Sequence, residues 1–127
     1  MYLLDTHVLL WYFMGSEKLG NRAKNAIEKN LCFYSTATLW ELGIKQSINK
    51  IDLKLTISEL ESIFIKSAFL KLEINAKQID RLKNLADIHK DPFDRLLIAQ
   101  ALENNLCLIT ADENILLYDI KTLDARE

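Results

Sequence analysis

Apolar residues occur along the chain in short runs that switch between two spacings. Tyr2-Leu3-Leu4 gives way at once to Asp5-Thr6-His7, which predicts a buried strand ending in a polar turn, with a helix beginning over Val8 to Phe13. Gly15-Ser16 breaks that helix. Ser16 is placed to cap a second one, whose Leu19, Ala23, Ala26 and Ile27 repeat at helical spacing towards Lys29. Leu31 to Tyr34 reads as a second strand. Thr36 or Thr38 is placed to cap the following helix, which carries Leu39, Trp40, Glu41, Ile44 and Lys45 and ends near Asn49. Ile51 to Leu55 is a connector, and Thr56 to Lys66 is helical by the spacing of Ile57, Leu60, Phe64 and Ile65.

The second half repeats the alternation. Phe69 to Ile74 has strand periodicity, and Asn75 then caps a helix with Ile79, Leu82, Leu85 and Ala86 facing inward. After the His89-Lys90 connector, Asp91-Pro92 marks a helix start, because Pro suits the first helical position and Asp satisfies free amides; this helix runs to about Asn104. Leu106 to Ile109 is a strand, followed by Thr110-Ala111-Asp112-Glu113, a short turn or helix, and an edge strand around Ile120 to Leu123. Strands separated by helices imply right-handed βαβ units. The expected fold class is therefore α/β: a three-layer α/β/α sandwich around a mainly parallel sheet, in a single domain spanning 1–127.

Composition narrows the chemistry without naming it. Hydrophobic residues make up 50% and charged residues 27% of 127, which suits a folded domain and is unlike a disordered chain. Lys and Arg number 16 against 18 Asp and Glu, so the net charge of −2 supplies no global attraction for nucleic acid, and any such contact has to be local. Cys32 and Cys107 lie in apolar runs without a CxxC partner and read as reduced core residues, which favours the cytoplasm. No basic leader and no membrane-length apolar run is present, so neither secretion nor membrane spanning is expected. The three glycines match neither G-x-G-x-x-G nor the P-loop, which excludes the usual nucleotide-binding loops.

In a parallel sheet, ligands bind beyond the carboxyl ends of the strands, and Asp5 and Asp112 fall on that edge, with Glu41 and Asp94 in the first turns of helices that start there. Carboxylates gathered in an apolar setting are costly unless a cation or a proton compensates them, and no basic residue stands among these motifs. An all-oxygen set suits Mg²⁺ or Mn²⁺ acting on a phosphodiester better than Zn²⁺. Each acid also has a plainer reading. Asp94 could belong to the cap formed by Asp91, Asp112 could be a turn residue, and Glu41 could be a solvated partner of Lys45. Asp5 is hardest to explain that way. His7 and His89 read as local hydrogen-bonding residues, Trp11 and Trp40 as core, and Thr6 and Thr110 as turn formers or as hydroxyls that position water or phosphate.

Four segments taken together, Leu4-Asp5-Thr6-His7-Val8-Leu9-Leu10-Trp11, Ser35-Thr36-Ala37-Thr38-Leu39-Trp40-Glu41, His89-Lys90-Asp91-Pro92-Phe93-Asp94-Arg95 and Thr110-Ala111-Asp112, resemble the PIN-domain family. Within it the chain is most similar to the VapC-type toxins of toxin-antitoxin pairs, in the branch with a DPFDR segment followed by Leu-Ile-Ala-Gln-Ala. The resemblance implies a Mg²⁺- or Mn²⁺-dependent endoribonuclease, frequent homodimerisation and inhibition by a small antitoxin. It places the four metal-binding, catalytic acids on Asp5, Glu41, Asp94 and Asp112, with Thr110, Arg95 and Thr6 as substrate-positioning residues. Asp91 is better read as a helix cap than as a ligand. Asn49 stands where the branch often has Gly, and Asn tolerates a left-handed turn. The rivals are a haloacid-dehalogenase-type phosphatase, whose second DxD acid is His7 here, a PIN nuclease of RNA maturation or DNA repair, and an inert PIN-fold binding module.

Overall fold

The computed structural model describes all 127 residues. Strands β1 (Tyr2–Leu4), β2 (Cys32–Ser35), β3 (Leu70–Leu72), β4 (Cys107–Thr110) and β5 (Thr122–Asp124) form one sheet in the order β3-β2-β1-β4-β5. Every neighbouring pair is parallel. The helices are α1 (Thr6–Met14), α2 (Asn21–Lys29), α3 (Thr36–Ser47), α4 (Ile57–Lys66), α5 (Ala76–Arg81), α6 (Pro92–Glu103) and α7 (Glu113–Leu116), with a 3₁₀ turn at Leu82–Asn84.

Alternation along each strand divides the core into two layers. Leu4, Tyr34, Ile109 and Leu123 point to one face and pack with residues of α1 to α4 such as Val8, Ala23, Leu42 and Phe64. Leu3 and Leu108 point to the other and pack under Leu97, Ile98, Ile115 and Tyr118 from α6 and the α7 region. The α/β/α sandwich follows from this two-faced burial. Both cysteines are free, and the Cys32 thiol, buried, is pushed up to about 11.

Several boundaries differ from the sequence expectation for identifiable reasons. Helix α1 starts at Thr6 because Asp5 is already its N-cap position. The cap of α3 is Ser35, whose Oγ accepts from the Ala37 amide at 3.0 Å, rather than Thr36 or Thr38; the Thr38 hydroxyl is used elsewhere. Strand β3 is shorter than Phe69 to Ile74, because the Phe69 amide still bonds to Phe64 at the end of α4 and the pairing ends where β2 ends, at Ser35 opposite Leu72. Strand β5 lies two residues later, because Tyr118 to Ile120 make a tight turn and the first bond to β4 runs from the Leu108 amide to Lys121. In α5 the inward residue is Gln78, and Ile79 is 50% exposed. Asn49 adopts φ +56°, the left-handed turn that its side chain tolerates.

Gln78 turns inward because it completes a reciprocal cap with Asn75 and joins a buried chain of polar groups: Ser35 donates to Gln100 Oε1 at 2.6 Å, and Gln100 Nε2 donates to Gln78 Oε1 at 3.1 Å. This chain ties α5 and α6 to the carboxyl end of β2, where the candidate site lies. Replacing Ser35 with Ala removes both the α3 cap and a buried donor, and is expected to cost about 1–3 kcal/mol. In a double-mutant cycle with Gln100→Leu, urea melts are expected to show that the pair costs less than the sum of the two single changes.

Candidate active site

Asp5 occupies the N-cap position of α1, yet its carboxylate caps no amide. It is buried at 4% exposure, and its Oδ2 accepts a hydrogen bond from Thr110 Oγ1 at 2.7 Å across β1 and β4. The same Thr110 oxygen accepts from the Asp112 amide at 3.0 Å, so one hydroxyl joins two of the predicted acids. Burial raises the Asp5 pKa, the Thr110 bond and the His7 charge oppose that rise, the Glu41 charge adds to it, and the neighbouring Thr6 amide lowers it slightly.

Glu41 is the next acid along the edge, buried in the second turn of α3. Its Oε1 accepts from Thr6 Oγ1 at 2.7 Å, and its Oε2 meets Lys45 Nζ at 2.9 Å. Because Thr6 donates its only proton to Glu41, the 2.9 Å contact between Thr6 and Thr38 has Thr38 as donor. The Lys45 pair expected from the i, i+4 spacing forms, with Glu41 buried and the half-buried Lys45 reaching it from the rim.

Asp94 and Asp112 meet at His89. Its Nε2 lies 3.0 Å from Asp94 Oδ2 and 3.0 Å from Asp112 Oδ2, and its side chain is 11% exposed. Asp112 also accepts amides of Asn114 and Ile115 on Oδ1, so it caps α7 with one oxygen and faces the site with the other. Burial would raise Asp112, but the His89 bond and the two helix amides bring it below the usual carboxylate range. Asp94 goes the other way. Burial first, then the charges of Asp5 and Asp91, push it up to about 7, with His89 opposing and Glu41 adding. Burial disfavours a charged His89, yet the Asp112 bond and the three neighbouring carboxylates outweigh it and raise the imidazole.

Asp91 spends Oδ1 on the amides of Phe93 and Asp94 at the start of α6. Arg95 turns its guanidinium away from the acids and onto the carbonyls of Ala86, His89 and Leu82, with Tyr118 Oη beside it. It holds the loop that carries His89. His7, on the first turn of α1, is exposed. Trp40 is not core: it is 62% exposed and meets Phe93 edge-on at 5.2 Å between ring centroids, each ring adjacent in sequence to a site acid.

Asp5, Glu41, Asp94 and Asp112 thus lie at one edge, with Asp94 and Asp112 alone brought to a common ligand spacing, and basic groups stand among them. Lys45 neutralises Glu41 and His89 bridges the other pair, which corrects the expectation that no basic group stands in the cluster. Thr38 and His89 are the groups that local reading undervalued. The remaining excess of carboxylate, felt most by Asp94, is what a divalent cation relieves, and the oxygen-rich donor set fits Mg²⁺ or Mn²⁺.

The sign of the Asp94 shift sets a pH dependence. A carboxyl raised on folding stabilises the folded form below its ordinary value, near pH 4, and that contribution is lost as pH climbs through about 7. In metal-free buffer the stability of the protein relative to Asp94→Asn is expected to fall between about pH 4 and pH 7 and then level off. A calorimetric titration with Mg²⁺ near pH 6.5, run in two buffers of different ionisation heat, is expected to detect proton release that disappears above pH 8.

A profile of the PIN domain matches residues 2–121. No curated protein matches the chain. Among solved structures, the chain is similar to one in the crystal structure of VapBC2 from Rickettsia felis bound to a DNA fragment from their promoter, with 18% identity, a TM-score of 0.71 and 96% of each chain covered. It is similar to one in a toxin-antitoxin complex from Klebsiella pneumoniae, with 21% identity, a TM-score of 0.67 and coverage of 100% of this chain and 99% of the other. The structure of VapBC-1 from nontypeable Haemophilus influenzae gives 20% identity, a TM-score of 0.69 and coverage of 99% and 98%. At these identities the likeness establishes a shared fold. With the family profile covering nearly its whole length, the chain belongs to the PIN-domain family.

Proposed function

We propose that the whole chain, 1–127, is one nuclease domain: a Mg²⁺- or Mn²⁺-dependent endoribonuclease of the VapC type, acting in the cytoplasm as the toxin of a toxin-antitoxin pair. The observation that carries this reading is the gathering of Asp5, Glu41, Asp94 and Asp112 at the carboxyl edge of the sheet, with Asp94 driven to about 7 by burial and then by the neighbouring carboxylates. A binding module has no use for so costly an arrangement.

Asp5, Asp94 and Asp112 would hold the ion, with Glu41 completing the acidic wall. When bound, such an ion supplies charge neutralisation at the phosphate and activation of water. The chain's own residues prepare the place. Thr110 orients Asp5 and fixes the Asp112 main chain, while Thr38 and Thr6 in series aim Glu41. Lys45 is a cation at the rim within reach of a backbone phosphate. Arg95 acts at one remove, by holding the His89 loop. The exposed Trp40 ring, with the half-buried Phe93 against it, flanks the acids and offers an apolar face to an unpaired base, which favours single-stranded RNA.

The partner reading rests on surface apolarity. Ile44 and Ile48 are exposed at the C-terminal end of α3, which suits a second copy of the chain in a homodimer. Ile65 on α4, 57% exposed, and Leu70 on β3, 44% exposed, leave apolar surface that suits an amphipathic helix of a small antitoxin. The neighbouring folds come from complexes of toxins with antitoxins, which supports the same assignment.

Cleavage of a pool of structured and single-stranded RNAs is expected with Mg²⁺ or Mn²⁺, to be abolished by EDTA, and to fall by at least about a hundredfold in Glu41→Gln. Activity unchanged by EDTA contradicts the mechanism; cleavage of single-stranded DNA alone contradicts only the substrate class and favours a repair nuclease.

The product of an adjacent reading frame is expected to bind at micromolar concentration or better and to suppress cleavage, with Ile65→Glu weakening it at least tenfold. Absence of binding, together with harmless expression of this chain alone, points to RNA maturation instead.

A further inference from the structure

We infer that His89 is a positioning residue for the metal site: its Nε2–H donates to Asp112 with Asp94 against the same nitrogen, which holds the two carboxylates at ligand spacing, and it is not itself a ligand. This rests on the metal-dependent reading above and adds to it a residue that the four-acid pattern leaves out.

The assignment follows from proton accounting around one ring. His89 Nδ1 lies 3.1 Å from the Asp91 amide, which has only a proton to offer, so Nδ1 is the acceptor nitrogen. The ring proton therefore sits on Nε2, the atom 3.0 Å from both carboxylates. A nitrogen that carries a proton cannot coordinate an ion. For His89 to become a ligand, the proton would have to move to Nδ1, against the Asp91 amide. The ligand-type atoms of His89, Asp94 and Asp112 all lie within 4.8 Å of one another, but only two of the three groups have a lone pair to give.

The carboxylate oxygens support the same division of labour. Asp112 Oδ1 is committed to the amides of Asn114 and Ile115, so Oδ2 is the oxygen left for an ion, and that oxygen is the one His89 touches. A carboxylate oxygen with one lone pair in a hydrogen bond keeps another for a cation. The donor is also held in place. The His89 amide donates to Tyr118 Oη at 2.9 Å, and its carbonyl accepts from Arg95 Nη1 at 3.2 Å. Tyr118 Oη in turn donates to the Ala86 carbonyl at 2.8 Å. The imidazole is thus fixed from its main chain outward, and two like-charged side chains are fixed against it. Hydrogen-bond partners of ligating carboxylates are worth 10–100-fold in metal affinity where they have been removed in other proteins.

The test is Mn²⁺ binding to the full chain, followed by the electron-spin signal of free Mn²⁺ and needing no substrate. His89→Ala is expected to bind Mn²⁺ about 10–100-fold more weakly, and His89→Gln, which keeps an N–H donor of similar reach, to recover much of the loss. His89→Phe fills the ring's volume without a donor and carries the test if the Ala variant does not fold. Pulsed electron-spin measurement on the Mn²⁺-loaded protein is expected to show no coupling of the strength given by a directly bound imidazole nitrogen. Unchanged or tighter binding in folded His89→Phe, or a strong imidazole coupling, overturns this inference and leaves the nuclease reading standing. No Mn²⁺ binding by the wild type at millimolar concentration overturns both.

Discussion

Everything at the site depends on one constraint: carboxylates held at an apolar sheet edge must each find a compensating proton, donor or cation. Asp5 and Glu41 are almost fully buried, and the surroundings of each acid show how the constraint is met. Asp5 accepts the hydroxyl of Thr110, Glu41 accepts Thr6 and pairs with Lys45, and Asp112 accepts two helix amides and the His89 Nε2–H. Asp94 receives the least, only the nearness of the same imidazole at 3.0 Å, and burial with that lack of donors raises its pKa.

The fold makes this arrangement possible. A parallel sheet directs the carboxyl ends of β1, β2 and β4 to one side, and the helices that follow them begin there with free amides. Those amides are shared out unequally. Asp91 and Asp112 cap their helices, whereas Asp5 stands at a cap position and caps nothing. A short polar side chain that makes no bond to the helix's free N2 or N3 amides, and is buried all the same, is what a ligand-binding role for Asp5 would require. The loop before α6 is built to the same end, with Arg95 and Tyr118 holding main-chain carbonyls so that His89 reaches the acids from a fixed base.

Strand and helix order was readable from periodicity because β1, β2 and β4 are short, largely apolar runs and most helices begin at a polar residue. Helix α2, however, begins at Asn21 after Gly20, and Ser16 caps only the Lys18 amide of the preceding turn. Asp5 was readable for a related reason: an acid directly after a buried strand has few ordinary explanations. Other features depend on residues distant in sequence. His89 reads locally as a connector residue, and nothing within a few positions reveals its bond to Asp112, which lies 23 residues away. Gln78 faces inward because Gln100 waits for it, and the apolar spacing that favoured Ile79 carries no trace of that bond. Trp40 has the size of a core residue at a helical position, but the inward places on α3 go to Glu41 and Leu42. The Glu41–Lys45 pair was visible as spacing, and its burial was not.

The central claim is that Asp5 is kept for a cation rather than for the stability of the fold, and paired denaturant melts of wild type and Asp5→Asn, with and without Mg²⁺, test it most directly. Asn keeps an oxygen for the Thr110 hydroxyl and removes a charge from the cluster, so the variant is expected to be no less stable than wild type in metal-free buffer. Wild type is expected to gain about 2.7 kcal/mol at a hundredfold excess of Mg²⁺ over its dissociation constant, and the variant much less. A loss of about 1–3 kcal/mol in the metal-free variant, with an unchanged response to Mg²⁺, would show instead that Asp5 is a structural acceptor.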